Sequence, residues 1–128
     1  NINKIVIHGR SLGGAVAINL ARNHKSAGLI LESTFTTATE VFGIPEEALG
    51  AKYRSIDKIK EISTPVLFIH GTADTLVPYW MTESLFELLP AEKEIYKIKG
   101  AGHNDVLMFA GMDYFKKIYD FIKKVTQK

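Results

Sequence analysis

Short apolar runs alternate with helix-forming segments along this chain. The runs cover Lys4 to His8, Ala27 to Leu31, Val66 to His70 and Glu94 to Ile98. The first lacks polar alternation, which is typical of a strand that is covered on both faces. Strands that alternate with helices pair in parallel through right-handed crossovers. The sequence therefore predicts an α/β fold, with about four parallel strands in a three-layer α/β/α arrangement.

The segments between the runs carry the helices. We predict helices over Leu12 to Arg22, Pro78 to Leu89 and Asp113 to Val125. The first of these is apolar nearly all round, as expected for a helix buried against a sheet. Residues 33–52 predict a loop followed by a broken helix, and Ser55 to Ile62 predicts one or two helical turns.

Composition excludes several classes of protein. With 128 residues, of which 46% are hydrophobic and 23% charged, residues 1–128 are expected to fold as a single domain. A net charge of +2 is too small to indicate a nucleic-acid or membrane partner. No apolar run reaches membrane-spanning length, and the absence of cysteine excludes thiol chemistry. We expect a soluble protein, with the cytoplasm as its expected location.

A serine flanked by glycines stands at the first strand-to-helix turn. The segment Gly9-Arg10-Ser11-Leu12-Gly13 fits the G-x-S-x-G pattern, and its place between a strand and a buried helix is typical of a nucleophile elbow. Such a turn strains the serine backbone, so we expect both flanking glycines to be needed to avoid a Cβ collision. The Leu12 N–H could then face a developing oxyanion. The alternative is that Ser11 only caps the helix.

An aspartate and a histidine follow the third and fourth predicted strands. Asp74 lies beyond the carboxyl end of the third, and His103 follows Gly100-Ala101-Gly102 after the fourth. In open parallel sheets, ligands bind at this edge, outside the carboxyl ends of the strands. Ser11 and Asp74 would lie about 9–10 Å apart across two strand spacings, which one imidazole can bridge. The alternatives are an Asx-turn for Asp74 and a surface-loop role for His103.

Other acidic, histidine and aromatic side chains suit structural roles better. Three other aspartates could be proposed as the acid, but Asp57 precedes its strand, and Asp105 and Asp113 flank the histidine loop. The remaining histidines lie at a strand end or in a polar loop, and these are His8, His24 and His70. Tyr79, Trp80 and Met81 could wall an acyl pocket, although core packing is the commoner role for such residues.

The order Ser, acid, His along the chain is that of α/β-hydrolases. On Ile5 to Gly14, Thr64 to Pro78 and Gly100 to Asn104, the sequence resembles this superfamily, in particular its small esterase and serine-peptidase-like members. The resemblance implies a serine hydrolase that attacks a small carboxylic ester, a thioester or an amide. It also implies an acyl-enzyme and no metal or organic cofactor.

The resemblance covers the C-terminal half of such a domain. Only Asn1 to Asn3 precede the first strand, so the loop that supplies the second oxyanion N–H is expected to lie outside the chain. A lost donor costs on the order of 10²–10³ in rate, so a weakly active or non-catalytic fragment is the alternative function. We expect the edge Ile5-Val6-Ile7 to pair with a second copy, or with a chain that carries the missing half.

Overall fold

The computed structural model describes residues 1–48 and 50–127. Its one sheet has four parallel strands in the order β1-β2-β3-β4. The strands are β1 (Val6–Arg10), β2 (Gly28–Glu32), β3 (Val66–Gly71) and β4 (Lys93–Ile98). The number, order and parallel pairing of the strands confirm the predicted fold class.

The helices also follow the predicted alternation. They are α1 (Leu12–Asn23), α2 (Ala38–Phe42), α3 (Ser55–Lys58), α4 (Tyr79–Leu88), α5 (Val106–Ala110) and α6 (Met112–Thr126). Shorter 3-10 turns cover Ile2–Lys4, Gly50–Tyr53 and Ile59–Glu61. The helix predicted as broken after residue 33 is the single short α2, which Gly43 ends in a left-handed conformation at φ 67°. None of the helices in the described ranges is long and apolar enough to span a membrane.

The first strand begins two residues later than predicted. The apolar side chain of Ile5 suggested a strand, but residues 2–4 form a 3-10 turn. The Asn1 side chain caps this turn by accepting a hydrogen bond from the Asn3 N–H at 3.0 Å. A local side-chain cap therefore outweighed β propensity here, and β1 continues through Gly9 to Arg10.

Two apolar layers cover the two faces of the sheet. Alternate residues of β2 and β3 point to opposite faces, as the two-residue period of a strand requires. Leu29 and Phe68 pack with α1, α4 and the turn after α3, whereas Ile30 and Leu67 pack with α5 and α6. Every residue of β2 and β3 is buried, so the predicted three-layer core lies on the central strands.

Helix α1 is less buried than its sequence suggests. Its small side chains and Ile18 are buried against the sheet. Three larger apolar side chains, Leu12, Val16 and Leu20, are 46%, 57% and 45% exposed. They recur every four residues and so form one stripe along the helix. The expectation of a helix buried all round is wrong for this stripe, which has no covering layer in the described part of the chain.

Candidate active site

The predicted elbow is a strained turn between β1 and α1. Ser11 has φ 53° and ψ −119°, a backbone conformation that L-residues rarely adopt. Its N–H donates to the Glu32 carbonyl at 2.8 Å, which continues the pairing of β1 with β2. The Ser11 side chain makes no capping hydrogen bond to α1, so the simple N-cap interpretation is wrong. Leu12 follows as the first residue of the helix, where a backbone N–H lacks an intrahelical partner.

The glycines of the elbow have different roles. A Cβ at Gly9 would collide with the Gly13 carbonyl and lie 2.7 Å from the Ala17 Cβ. A Cβ on Gly13 would meet nothing within 4 Å, so the expectation that both flanking glycines prevent a collision is wrong for Gly13. The second tight position is Gly14, where a Cβ would collide with the Thr34 side chain.

The structure brings the three predicted site residues together. His103 Nε2 lies 3.0 Å from Ser11 Oγ, and His103 Nδ1 lies 2.8 Å from Asp74 Oδ2. An ionised carboxylate only accepts hydrogen bonds, so Nδ1 carries the proton and Nε2 is left to accept from the serine hydroxyl. The Asp74 side chain is fully buried and that of His103 is 11% exposed. The arrangement allows the imidazole to remove the serine proton.

The second oxygen of Asp74 holds the turn itself. Asp74 Oδ1 accepts from the Leu76 N–H at 3.0 Å and from the Val77 N–H at 2.8 Å. Asp74 therefore forms the Asx-turn of the alternative interpretation, while its other carboxylate oxygen faces His103. The turn fixes the direction in which Oδ2 points toward His103.

A buried histidine supports the acid from beneath. His70 Nε2 donates to the Val77 carbonyl at 2.7 Å, and the Thr82 hydroxyl donates to Nδ1 at 2.7 Å. Nε2 also lies 3.4 Å from Asp74 Oδ2. Burial lowers the pKa of His70, while the Val77 hydrogen bond and the Asp74 charge raise it in part. His70 thus stays neutral and structural, as its sequence position suggested.

Sequence reasoning missed a charged cluster beside the elbow. Glu32 ends β2 as a buried carboxylate, with Arg10 Nε 3.3 Å and His8 Nε2 3.7 Å away. The Tyr114 hydroxyl donates to it at 2.5 Å. Burial raises the pKa of Glu32, but the hydrogen bonds and charges of these neighbours outweigh it and hold that pKa below its usual value. The sequence feature that could have indicated this cluster is a glutamate at the end of an otherwise apolar strand.

The remaining sequence candidates do not contact Ser11, Asp74 or His103 in the hydrogen bonds and ion pairs described for them. Asp57 pairs with Arg54 at 2.6 Å, Asp105 accepts from the Gly102 N–H, and Asp113 is exposed at the start of α6.

Of the three residues considered for an acyl pocket, Met81 belongs to a buried cluster and Tyr79 packs edge-on against His70. Trp80 is exposed.

Other possible ligand sites are remote from Ser11 or lack the required donors. A cleft of about 500 Å³ lies at the amino ends of the strands, lined by residues that include Asn3, Arg22, His24 and Ser63. Ser11 lies at the opposite, carboxyl end of β1, so this cleft is not its substrate site. Within residues 1–48 and 50–127, no three His, Asp or Glu side chains are grouped to hold a metal ion.

Comparison with known proteins places the chain in a family. The model of the prolyl oligopeptidase family matches residues 1–128. The chain is similar to human alpha/beta hydrolase domain-containing protein 17B, with 32% identity over 123 residues. The Xenopus laevis protein of the same name is 33% identical over 121 residues. These matches cover 94% and 92% of this chain, which spans 42% and 41% of the two relatives.

Solved structures share the fold at lower identity. An acylaminoacyl peptidase from Pyrococcus horikoshii matches with a TM-score of 0.82 and 18% identity, over all of this chain and 25% of that protein. An esterase domain from Rhodothermus marinus matches with a TM-score of 0.69 and 20% identity, over 85% of this chain and 57% of that one. The solved structures support the fold, and the family match over residues 1–128 shows that the chain belongs to the prolyl oligopeptidase family within the α/β-hydrolase superfamily.

Proposed function

We propose that this protein is a serine hydrolase of small carboxylic esters, with Ser11 as nucleophile, His103 as base and Asp74 as the orienting acid. The observation that carries the proposal is one imidazole in contact with both partners, at 3.0 Å from the serine oxygen and 2.8 Å from the carboxylate oxygen. Nucleophile and base within hydrogen-bond reach, with a third group orienting the base, are the features of activated serine catalysis.

The proposed reaction has two acyl-transfer steps. His103 Nε2 removes the Ser11 proton while Oγ bonds to the ester carbonyl carbon, and the Leu12 N–H stabilises the oxyanion that forms. The intermediate collapses as the C–O bond to the alcohol breaks, and the imidazolium returns its proton to that leaving oxygen. Water then attacks the acyl-enzyme with His103 as base again, which releases the acid and restores the Ser11 hydroxyl.

Of the substrates considered, an ester needs less stabilisation from this site than an amide does. The carbonyl group of an ester is less stabilised by resonance than that of an amide and is attacked more readily, so an ester needs less stabilisation of the oxyanion. Each lost oxyanion donor costs on the order of 10²–10³ in rate. The proposal uses one oxyanion donor of the described chain, the Leu12 N–H. A site with one such donor can still hydrolyse esters.

A fluorophosphonate probe tests the proposal. We expect the wild-type protein to be labelled and to hydrolyse p-nitrophenyl acetate, and Ser11→Ala to do neither. Ser63→Ala removes an exposed hydroxyl at the amino end of the sheet and serves as the matched control. A folded wild-type protein that takes up no label would contradict the proposal.

The second candidate is an assembly module with little or no activity. The exposed stripe of Leu12, Val16 and Leu20 favours it, as does the position of β1 at a sheet edge. The other edge, β4, carries Lys93, Glu94 and Lys97, and charges of this kind discourage strand pairing.

Pairing of β1 with β1 of a second copy would give a continuous eight-stranded sheet. Light scattering is expected to show a dimer, or a companion chain that carries further strands. A lone monomer at high concentration would contradict this candidate and leave the hydrolase proposal standing.

A further inference from the structure

We propose that Arg10 is a positioning residue that sets the distance between His103 and Ser11. This inference rests on the proposed hydrolase function and adds to it a residue that holds the base against the nucleophile. Arg10 occupies the position before the serine in the elbow, so its backbone is part of the strained turn.

The guanidinium of Arg10 reaches the loop that carries the base. One terminal nitrogen donates to the His103 carbonyl at 2.6 Å and to the Asn104 side-chain oxygen at 2.8 Å. Its Nε lies 3.3 Å from Glu32 Oε2. The planar guanidinium of Arg can contact the base loop and Glu32 at the same time, which a lysine ammonium cannot do with the same geometry.

Glu32 gives the guanidinium a fixed anchor. The Glu32 side chain is 5% exposed, whereas that of Arg10 is 43% exposed. The Tyr114 hydroxyl donates to the other carboxylate oxygen from α6. Arg10 thus connects a buried point at the end of β2 to the backbone of His103.

The other side of the base loop is tied to the acid. The Gly100 N–H donates to Thr72 Oγ1 at 2.8 Å, and the Ala73 N–H donates to the Ala101 carbonyl at 2.9 Å. These bonds join the loop to the turn that carries Asp74. They hold His103 relative to Asp74. The distance between His103 and the elbow is then restrained only by the Arg10 hydrogen bonds and by the contact with Ser11, among the contacts described here.

Loss of Arg10 should therefore loosen one of the two triad contacts and spare the other. The His103–Asp74 pair stays in place, whereas the His103–Ser11 distance is no longer restrained from the elbow. A displacement of about 1 Å at reacting atoms costs on the order of 10²-fold in rate. Without the guanidinium, the buried Glu32 carboxylate keeps the Tyr114 hydroxyl as donor and His8 nearby, so the fold should lose stability but still form.

The test compares Arg10→Met with Arg22→Met. Arg22 pairs with Glu61 at 3.3 Å, the same distance as Arg10 from Glu32, but at the opposite end of α1. We expect Arg10→Met to lower kcat for p-nitrophenyl acetate by about 10- to 100-fold, with KM within about twofold of wild type. The rate of fluorophosphonate labelling should fall in parallel. Arg22→Met should match wild type in all three measurements.

The outcomes separate this inference from the proposed function. An unlabelled wild-type protein would overturn the hydrolase proposal, and this inference with it. A reactive wild type with an equally reactive Arg10→Met overturns the positioning role alone. Arg10→Lys covers the case in which Arg10→Met fails to fold. Partial activity of Arg10→Lys supports positioning by the planar guanidinium, whereas its full activity would assign the effect to charge and overturn the inference.

Discussion

The acid side and the nucleophile side of the site are built differently. Asp74 is buried, uses both carboxylate oxygens and packs above the buried His70. Ser11 lies in a strained turn on an edge strand, followed by the half-exposed Leu12. Asp74 and His103 are thus held by the core of this chain, whereas Ser11 lies beside an edge strand and a partly exposed helix.

Among substitutions that change the surroundings of Ser11 and His103, Asp74→Asn should have the largest effect. The amide oxygen can keep the hydrogen bonds from the Leu76 and Val77 N–H groups, but the amide nitrogen would face His103 Nδ1 as a donor. The imidazole is then held in the wrong tautomer, and the labelling rate should fall on the order of 10⁴-fold with little loss of stability. The control is Asp113→Asn, an exposed carboxylate on α6 that should leave the rate unchanged. A rate within tenfold of wild type for Asp74→Asn would contradict the assigned acid.

On the nucleophile side, two glycines form a matched pair. Gly9→Ala places a Cβ against the Gly13 carbonyl and the Ala17 side chain, and should lower the free energy of unfolding by about 1–3 kcal/mol. Gly13→Ala adds a Cβ in open space within a helix, where alanine is favoured by about 1 kcal/mol. Urea unfolding of the two variants measures the difference. Equal destabilisation would contradict the described packing of the elbow.

Acid should weaken the fold through His70. Its folded pKa lies below the ordinary value of 6.5, so the unfolded chain binds the proton more readily. The contribution of neutral His70 to the free energy of unfolding is complete above about pH 6.5 and is lost as the pH falls toward the lowered pKa. Urea unfolding at pH 7.5 and pH 5.5 measures this slope, which should shrink in His70→Gln and persist in His24→Gln, a change at an exposed histidine. An unchanged slope in His70→Gln would assign the acid sensitivity to other groups.

The smallest effect on the isolated fold is expected at the exposed stripe of α1. Because Val16 and Leu20 are about half exposed, Val16→Lys and Leu20→Lys should each change the free energy of unfolding by about 0.5 kcal/mol or less. If the stripe is covered by a second copy, both variants should shift the light-scattering mass toward the monomer. Leu88→Lys, at an exposed position on α4, is the control. A mass that stays dimeric in both stripe variants would place the contact elsewhere.

Much of this arrangement could be predicted from the sequence because it follows from local patterns. The apolar runs of β2 and β3 specify buried central strands, and parallel pairing puts the residues that follow them at one edge. The proximity of Ser11, Asp74 and His103 is a consequence of that topology. Their catalytic roles remain a prediction.

What the sequence did not reveal depends on long-range contacts. The contact of Arg10 with the His103 carbonyl joins residues 93 positions apart, and no periodicity marks it. Gly13 and Gly14 look alike in sequence, yet only the latter faces Thr34 in the folded chain. The exposed stripe of α1 was not predicted for the same reason. The sequence of an apolar helix does not indicate which of its faces is buried by the rest of the chain.

The most direct test of the central claim is the labelling rate of His103→Gln beside that of wild type. If the imidazole activates Ser11, the substitution should lower the rate at least as much as Asp74→Asn, by about 10⁴-fold or more, while the protein stays folded. A folded His103→Gln protein that reacts at the wild-type rate would show that Ser11 does not depend on this base, and the proposed triad would be wrong.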